Sequence, residues 1–261
     1  FSDFFTHRVL AVDTTGNMET IVETPQQPSG LGWSPDGSLL IVSMNDQKLL
    51  SFSNDELLEV ADLSQLATHF CNDMVVDKKG NAYVGNFGFD LHGGESIKST
   101  NIILVKSGKE PCVAAENVFF PNGTVITPDD KTLIVGETFA SCLTAFDINE
   151  DGSLSNRRVW ADLRSIEEDY FPVPDGICLD AEGAVWVASP TTNDVIRVQE
   201  GGALLDKVEV DRGAFACMLG GENGNTLFIS TANDSTKETC LKEKSARIEV
   251  IEVDIPRAGL P

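Results

Sequence analysis

Three polar residues recur at one position of a repeated sequence pattern. Asn122 and Asp175 each precede a glycine at the start of an apolar run, and Asn72 stands just before a third such run. Carboxamide and carboxylate oxygens are the hard ligands that Ca²⁺, Mg²⁺ and Mn²⁺ prefer. Asn and Asp also start turns and cap backbone groups, which is the structural alternative. If the fold brings these positions together, the sequence predicts a divalent-metal site.

The pattern itself is a strand, a tight turn and a second strand, and six copies of its second half are present. The turns carry Asp-Gly, Lys-Gly, Asp-Asp or Asn-Gly, which suit hairpins. The leading positions lie 43, 50, 53 and 41 residues apart, at Ser29, Asn72, Asn122, Asp175 and Ala216. A period of about 40–50 residues with four short strands per unit is typical of a β-propeller.

The elements that must position the polar residues are therefore predicted to be blades. We expect an all-β fold, a single six-bladed β-propeller domain over residues 1–261, with four-stranded antiparallel blades. The first blade is expected to be incomplete, since the chain begins at Phe1 inside an apparent strand, FSDFF. In a propeller the leading residues would converge at one mouth of the central channel.

Composition excludes several classes of partner. The formal charge is 19 − 41 = −22 over 261 residues, which repels nucleic acid and anionic lipid. No apolar run approaches the ~20 residues of a transmembrane helix. None of the six cysteines forms a CxxC pair, so a zinc ribbon is not expected. Cys71, Cys142, Cys178 and Cys217 lie within or beside apolar strand patterns, so we expect buried thiols in a reducing compartment and a cytoplasmic protein. The presence of a targeting segment before Phe1 is left undecided by the sequence. We expect a monomer or a weak homo-oligomer.

Two segments are expected to wall a small-molecule pocket beside the polar residues. The loop Gly85–Thr100 is longer than its counterparts, and the segment Arg164–Pro174 leads directly into Asp175. A few polar groups within an apolar rim are usual for such a site, although loop aromatics often serve packing alone. The candidate substrate-binding residues are Asn72, Asp73, His69, Phe87, Phe89, His92, Tyr170 and Phe171.

Other catalytic signatures are absent from the sequence. There is no GxSxG element, so a serine nucleophile of that type is not supported. There is no Walker motif and no GxGxxG before a helix, so nucleotide chemistry is not supported either.

Three stretches resemble the regucalcin/gluconolactonase family of metal-dependent lactonases. They are PNGTVITPDDKTLIVGETFASCLTAFDI, VPDGICLDAEGAVWVAS and FACMLGGENGNTLFIS. The resemblance implies a six-bladed propeller with one divalent metal on its axis, held by the Asn of Pro-Asn-Gly, Asn122, and the Asp of Pro-Asp-Gly, Asp175. The family's third ligand, a Glu, has no counterpart here and would lie before Phe1. The family's substrate-contacting Asn matches Asn72.

The resemblance also implies a substrate class. Some family members carry an Arg two residues before that Asn, where this chain has Phe70. This loses a cationic donor and favours a less polar lactone over a sugar lactone.

The expected function is a metal-dependent lactonase with a lactone as its small-molecule substrate. Asp175 is the expected catalytic base as well as a ligand, and Ca²⁺ is the expected metal, with Mg²⁺, Mn²⁺ and Zn²⁺ as alternatives. The competing interpretations are a non-catalytic calcium- or ligand-binding propeller, a phosphotriesterase-like hydrolase and a strictosidine-synthase-like condensing enzyme, since fold alone does not separate them.

Overall fold

The structure is a computed structural model that describes residues 1–258. Within those residues it contains twenty-two β-strands, one short helix, α1 (Lys237–Glu243), and two 3₁₀ turns. No helix in this part of the chain is both long and apolar enough to cross a membrane. The chain divides into two compact units: unit 1 is Phe1–Pro121 with Glu150–Ser153, and unit 2 is Asn122–Asn149 with Leu154 onward.

Unit 1 contains three antiparallel sheets, and in each the strands pair in sequence order. The first sheet is β1 (Ser2–Asp3), β2 (Arg8–Val12) and β3 (Met18–Glu23). The second is β4 (Pro28–Trp33), β5 (Leu39–Ser43), β6 (Lys48–Ser53) and β7 (Glu56–Asp62). The third is β8 (Cys71–Val76), β9 (Ala82–Asn86), β10 (Thr100–Val105) and β11 (Cys112–Val118).

Unit 2 is built from three sheets with the same strand order. The first is β12 (Pro121–Ile126), β13 (Thr132–Glu137), β14 (Cys142–Ile148) and β15 (Leu154–Asp162). The second is β16 (Ile177–Leu179), β17 (Val185–Ser189), β18 (Asp194–Val198) and β19 (Leu204–Glu209). The third is β20 (Gly213–Gly220), β21 (Thr226–Ala232) and β22 (Arg247–Glu252), with α1 between its last two strands.

The repeat in the sequence is thus a repeat of sheets, which confirms the all-β class and its six blades. Four strands per blade is confirmed for the middle four sheets. The first sheet has three, as expected of an incomplete first blade, and the last sheet also has only three among residues 1–258, so the prediction is wrong for that blade. The predicted strand FSDFF is also shorter than expected. It pairs only at Ser2–Asp3, because the chain then turns and reaches a left-handed φ of 54° at His7.

The last sheet lacks a fourth strand because the chain leaves its edge. Among the described residues after Glu252, Val253 and Arg257 bond to the β20–β21 turn, while Pro256 and Ala258 bond to the β16–β17 hairpin. The Ala181 N–H donates to the Pro256 carbonyl at 2.8 Å, and the Ala258 N–H donates to the Leu179 carbonyl at 3.0 Å. Backbone groups that would have extended the sheet are therefore satisfied elsewhere.

Aspartates close the hairpins between the first and second strands of the four four-stranded sheets. In each of these four hairpins a carboxylate oxygen accepts the N–H two residues further on, which is the Asx turn expected from the turn sequences. These aspartates are Asp36, Asp77, Asp129 and Asp180. Such bonds favour the charged carboxylate; the Ser38 N–H, for example, lowers the pKa of Asp36.

The core of each unit lies between neighbouring sheets. Every residue of β5 and of β17 is buried, as the apolar runs LLIVS and VWVAS predict. In unit 1, Leu40 and Val42 share one cluster with residues of β9 and β10, and in unit 2 the side chains of β14, β17 and β18 do the same. Burial of these branched side chains is the main stabilising contribution to the sheets.

Four cysteines take part in this packing. Cys71, Cys142, Cys178 and Cys217 are buried, as predicted, and all six cysteines are unbonded thiols. They behave as small apolar residues of the core.

First strands of neighbouring sheets pass closely within each unit. A Cβ on Gly123 would lie 2.4 Å from the Ile177 nitrogen, and one on Gly30 would lie 2.5 Å from the Met74 nitrogen. A side chain cannot fit at such distances, so only glycine permits the approach. This explains why a glycine follows the polar residue in the repeated pattern.

Candidate functional site

Asn122 and Asp175 are brought together in unit 2. Asn122 lies on β12 and is buried, while Asp175 is half-buried just before β16. The Gly123 N–H donates to the Asp175 carbonyl at 3.1 Å. The two predicted metal ligands are therefore carried on backbone segments that are hydrogen-bonded to each other.

A hydroxyl group connects the same two segments. The Asn122 Nδ2 donates to the Thr138 Oγ1 at 3.2 Å, and this hydroxyl donates to the Pro174 carbonyl at 2.8 Å. Thr138 follows β13 directly and begins a 3₁₀ turn. Thr138 was not among the site residues predicted from the sequence.

The second strands of five of the six sheets share a feature at their ends. Each ends in or near a buried polar side chain, namely Ser43, Asn86, Glu137, Ser189 and Thr231. All are hydrogen-bonded; Ser189, for example, accepts from the Val173 N–H at 3.1 Å. Buried polar groups need such partners, and here they fix the loops that follow or face them.

The segment before Asp175 is held at several points. The Asp175 N–H donates to the Ala188 carbonyl at 2.9 Å. The Tyr170 hydroxyl donates to the buried Asp194 at 2.7 Å, and the Lys207 ammonium lies 3.2 Å from the same carboxylate and 4.3 Å from the centre of the Tyr170 ring. Desolvation and the bond to Asp194 raise the pKa of Tyr170.

Phe171 differs from its neighbour Tyr170. It is 59% exposed, so it presents apolar surface to solvent in this unit. Tyr170, by contrast, is engaged in the contacts with Asp194 and Lys207.

Asn72 and Asp73 lie on β8 in unit 1, directly after its first residue. The Ser29 hydroxyl donates to the Asn72 Oδ1 at 3.1 Å, so that oxygen already accepts a hydrogen bond and the amide nitrogen supplies the donors. Desolvation raises the pKa of Asp73 to about 6, opposed by the hydrogen bond from the Met74 N–H.

His69 lies among aromatic rings near the same strand. Its ring is 4.3 Å from that of Phe70 and 6.2 Å from that of Phe87. Its Nε2 is 4.0 Å from the Asp90 carboxylate, and its Nδ1 is buried without a hydrogen-bond partner in the described part of the chain. His69 is therefore a half-buried imidazole with one unpaired nitrogen.

The other aromatic candidates of unit 1 fall into two groups. Phe87 and Phe89 are buried and pack on Phe120, with Phe87 and Phe120 ring centres 4.4 Å apart. Phe120 adopts a left-handed φ of 54°, which is uncommon for an aromatic residue and is maintained by this packing. His92 lies on the exposed part of the loop.

The donor chemistry of Asn122 and Asp175 fits a hard divalent cation, because both offer oxygen. Among residues 1–258 no group of three or more His, Cys, Asp or Glu side chains could hold a metal. The candidate oxygen ligands in unit 2 are thus two: the neutral Asn122 and the anionic Asp175, on backbone segments that are hydrogen-bonded to each other.

Comparison with known proteins gives consistent similarities. A family model described as "SMP-30/Gluconolactonase/LRE-like region" matches residues 1–233. A 6-deoxy-6-sulfogluconolactonase of Pseudomonas putida is 23% identical over 267 aligned positions, covering 100% of this chain and 89% of that protein. Human regucalcin is 32% identical over 123 positions, covering 46% of this chain and 40% of its own length.

A solved structure agrees with these matches. The calcium-binding protein regucalcin from Agrobacterium tumefaciens superposes with a TM-score of 0.80, at 19% identity, covering 99% of this chain and 86% of that one. At this level of identity the likeness shows a shared fold.

Proposed function

Because the chain belongs to the SMP-30/gluconolactonase/LRE-like family, we propose that it is a lactonase that opens the ring ester of a small lactone. The observation that carries the proposal is the direct backbone contact between the Asn122-Gly123 and Asp175 segments. It is supported by the similarity to a protein named a sulfogluconolactonase over the whole chain.

Asn122 and Asp175 would hold one divalent cation, with Ca²⁺ first among the candidates. When bound, such an ion supplies Lewis-acid polarisation of the lactone carbonyl. Asp175 accepts a proton from the attacking water at its carboxylate. The water oxygen bonds to the carbonyl carbon, and the ring C–O bond breaks with its electron pair going to the ring oxygen. That oxygen takes the proton held by Asp175, so the product leaves as a hydroxy acid.

The candidate substrate contacts are proposed for each unit by itself. In unit 1, Asn72 is a proposed substrate-binding residue, and its carboxamide oxygen accepts from the Ser29 hydroxyl at 3.1 Å. Asp73, His69, Phe87, Phe89, His92, Tyr170 and Phe171 remain proposed substrate-binding residues. The exposed Phe171 and the presence of Phe70 in place of an arginine favour a lactone with an apolar portion over a plain sugar lactone.

The test is hydrolysis of a panel of sugar and non-sugar lactones after EDTA treatment and after adding back Ca²⁺, Mg²⁺, Mn²⁺ or Zn²⁺. We expect activity to vanish with chelator, to return with one metal, and to fall at least about 100-fold in Asp175→Asn, which removes the base and an anionic ligand. The matched control is Asp169→Asn, an exposed aspartate six residues earlier, which should retain activity.

Activity should also fall at acid pH, because Asp175 must be deprotonated both to bind metal and to accept a proton. The measurement is the pH–rate profile of the metal-loaded protein. A profile that stays flat down to pH 4 would contradict this role of Asp175.

The alternative function is a non-catalytic calcium- or ligand-binding protein, since the same two oxygen donors, Asn122 and Asp175, could bind a cation without any turnover. Metal binding that Asp175→Asn abolishes, with no turnover of any lactone, would support it. Turnover of phosphotriesters in the same panel would instead support another hydrolase on this fold.

A further inference from the structure

We propose that the polar residues of the β17–β18 connection are positioning residues that hold Phe171 as a fixed apolar contact for the substrate. They are Ser189, Thr192 and Asp194. This role rests on the proposed function, since it names what selects a lactone with an apolar portion. All the residues concerned lie in unit 2.

The backbone is anchored on the N-terminal side of Phe171 through Tyr170. The Tyr170 hydroxyl donates to the Asp194 Oδ2 at 2.7 Å, and Asp194 is 1% exposed. The Lys207 ammonium lies 3.2 Å from the same oxygen and 4.3 Å from the centre of the Tyr170 ring. A buried carboxylate therefore holds this ring at its hydroxyl and a cation covers its face, which together fix residue 170.

The backbone is anchored on the C-terminal side of Phe171 as well. The Val173 N–H donates to the Ser189 Oγ at 3.1 Å, and the Asp175 N–H donates to the Ala188 carbonyl at 2.9 Å. Ser189 is fully buried, so solvent does not compete for its bond to Val173. Phe171 thus lies between two fixed points, one residue after the first and two residues before the second.

A chain of hydroxyl groups joins the two anchors. The Thr192 hydroxyl is 2.6 Å from the Asp194 Oδ1 and 2.7 Å from the Ser189 Oγ. Because a carboxylate can only accept, the Thr192 proton goes to Asp194, and the Ser189 hydroxyl must donate to Thr192. The Ser189 oxygen then accepts from Val173. The donors of this chain all point toward the Asp194 charge, so its removal disturbs both anchors.

Phe171 is the large apolar side chain that these anchors leave in solvent. It is 59% exposed, and burial of its ring against a ligand is favourable. Since its backbone is already fixed, little ordering remains to be done when a ligand binds. A sugar lactone with hydroxyl groups around its ring offers this side chain little apolar surface, whereas an alkyl-substituted lactone covers it.

The anchors are tested without any substrate, by hydrogen exchange of the Val173 amide. We expect about tenfold faster exchange in Tyr170→Phe, which keeps the ring and removes the hydroxyl, and in Asp194→Asn. The matched control is Tyr83→Phe, whose lost hydroxyl donates to the Gly152 carbonyl at 2.9 Å in unit 1. It should leave the exchange unchanged. An unprotected Val173 amide in wild type, or the same exchange rate in all three variants, would overturn the anchoring role.

The specificity role is tested with two probes, glucono-δ-lactone and γ-octalactone, hydrolysed by the metal-loaded protein. We expect Phe171→Ala to lower kcat/KM for γ-octalactone about tenfold, mainly through KM, and to keep that for glucono-δ-lactone within about threefold of wild type. Phe171→Leu, which keeps an apolar side chain, should stay within about threefold for both. Asp194→Asn, which keeps the Phe171 ring but frees its backbone, should raise KM for γ-octalactone about three- to tenfold.

The outcomes separate this role from the proposed function. Equal losses for both lactones in Phe171→Ala or Asp194→Asn would show general damage to the site and overturn the specificity role, with the lactonase proposal intact. A wild type that hydrolyses only sugar lactones would do the same. If wild type hydrolyses no lactone, the proposed function and the specificity role fail together, while hydrogen exchange still decides the anchoring role.

Discussion

At the scale of single residues, burial sets the charge state of Asp73. Desolvation raises its pKa from the ordinary 3.8 to about 6, so the folded state holds this proton more tightly than the unfolded chain. Its contribution to stability is therefore full below about pH 4 and is lost as the pH rises through about 6. We expect Asp73→Asn, which cannot ionise, to be more stable than wild type at pH 8.

The gain is at most about 3 kcal/mol, which the partial exposure of this carboxyl reduces. The measurement is the urea-unfolding free energy of both proteins at pH 4 and pH 8, with metal removed. Asp55→Asn, at an exposed turn of the same unit, removes the same charge and should show no such pH-dependent gain. A stability difference for Asp73→Asn that is the same at both pH values would contradict the argument.

The candidate residues also show what could be predicted from the sequence. Asn122 and Asp175 could be predicted to lie near each other because they hold equivalent positions in adjacent repeats. Equivalent positions of adjacent repeats lie on neighbouring sheets in a fold of this kind. The contacts of Thr138 could not be predicted, because its partners lie 16 and 36 residues away and its neighbours in sequence do not reveal them. The burial of Phe89 could not be predicted either, because the sequence of a loop does not show whether an aromatic side chain in it is buried or exposed.

At the scale of elements, the β16–β17 hairpin depends on a buried ion pair. Arg197 on β18 lies 2.6 Å from Asp180, a carboxylate that is 0% exposed and also accepts the Glu182 and Ala184 N–H groups of the turn. Removal of one partner from a buried pair leaves an uncompensated charge and costs about 3–5 kcal/mol. We expect Arg197→Met to destabilise the protein by about 3 kcal/mol, since the two backbone donors remain.

The matched comparison is Arg158→Met. Its partner Asp147 is 2.7 Å away, but both side chains are about 40% exposed, and exposed pairs contribute about 0–1 kcal/mol. Urea-unfolding curves of the two variants at pH 7.5 provide the measurement. Similar losses of unfolding free energy in both would show that burial of Asp180 does not govern its contribution.

Elements were predictable where their determinants are local. The hairpins at Asp36, Asp77 and Asp180 each combine the aspartate with a glycine within five residues, and at Asp129 the residue with positive φ is Asp130, so their positions were visible in the sequence. The strand count of the last sheet was not visible. It depends on the residues after β22 bonding to Leu179 and Ala181, more than seventy residues earlier in the chain.

At the scale of the whole molecule, the net charge of −22 destabilises the folded state through repulsion between carboxylates. Unlike-charge pairs in the described residues involve a minority of the carboxylates, and many others close turns through backbone N–H groups. Salt screens repulsion between exposed charges beyond about 10 Å at 0.1 M ionic strength, while short hydrogen-bonded contacts are affected less. The net effect of salt at neutral pH should therefore be stabilising.

We expect the melting temperature at pH 8, with EDTA present to exclude metal binding, to rise by several degrees between about 20 mM and 500 mM NaCl. The rise should shrink toward pH 4.5, where carboxylates begin to take up protons and the repulsion declines. Below that, stability should fall, because turn aspartates such as Asp36 have lowered pKa values and lose their contribution as the pH drops through them. A melting temperature that falls with salt at pH 8 would show that attractive pairs outweigh the net charge.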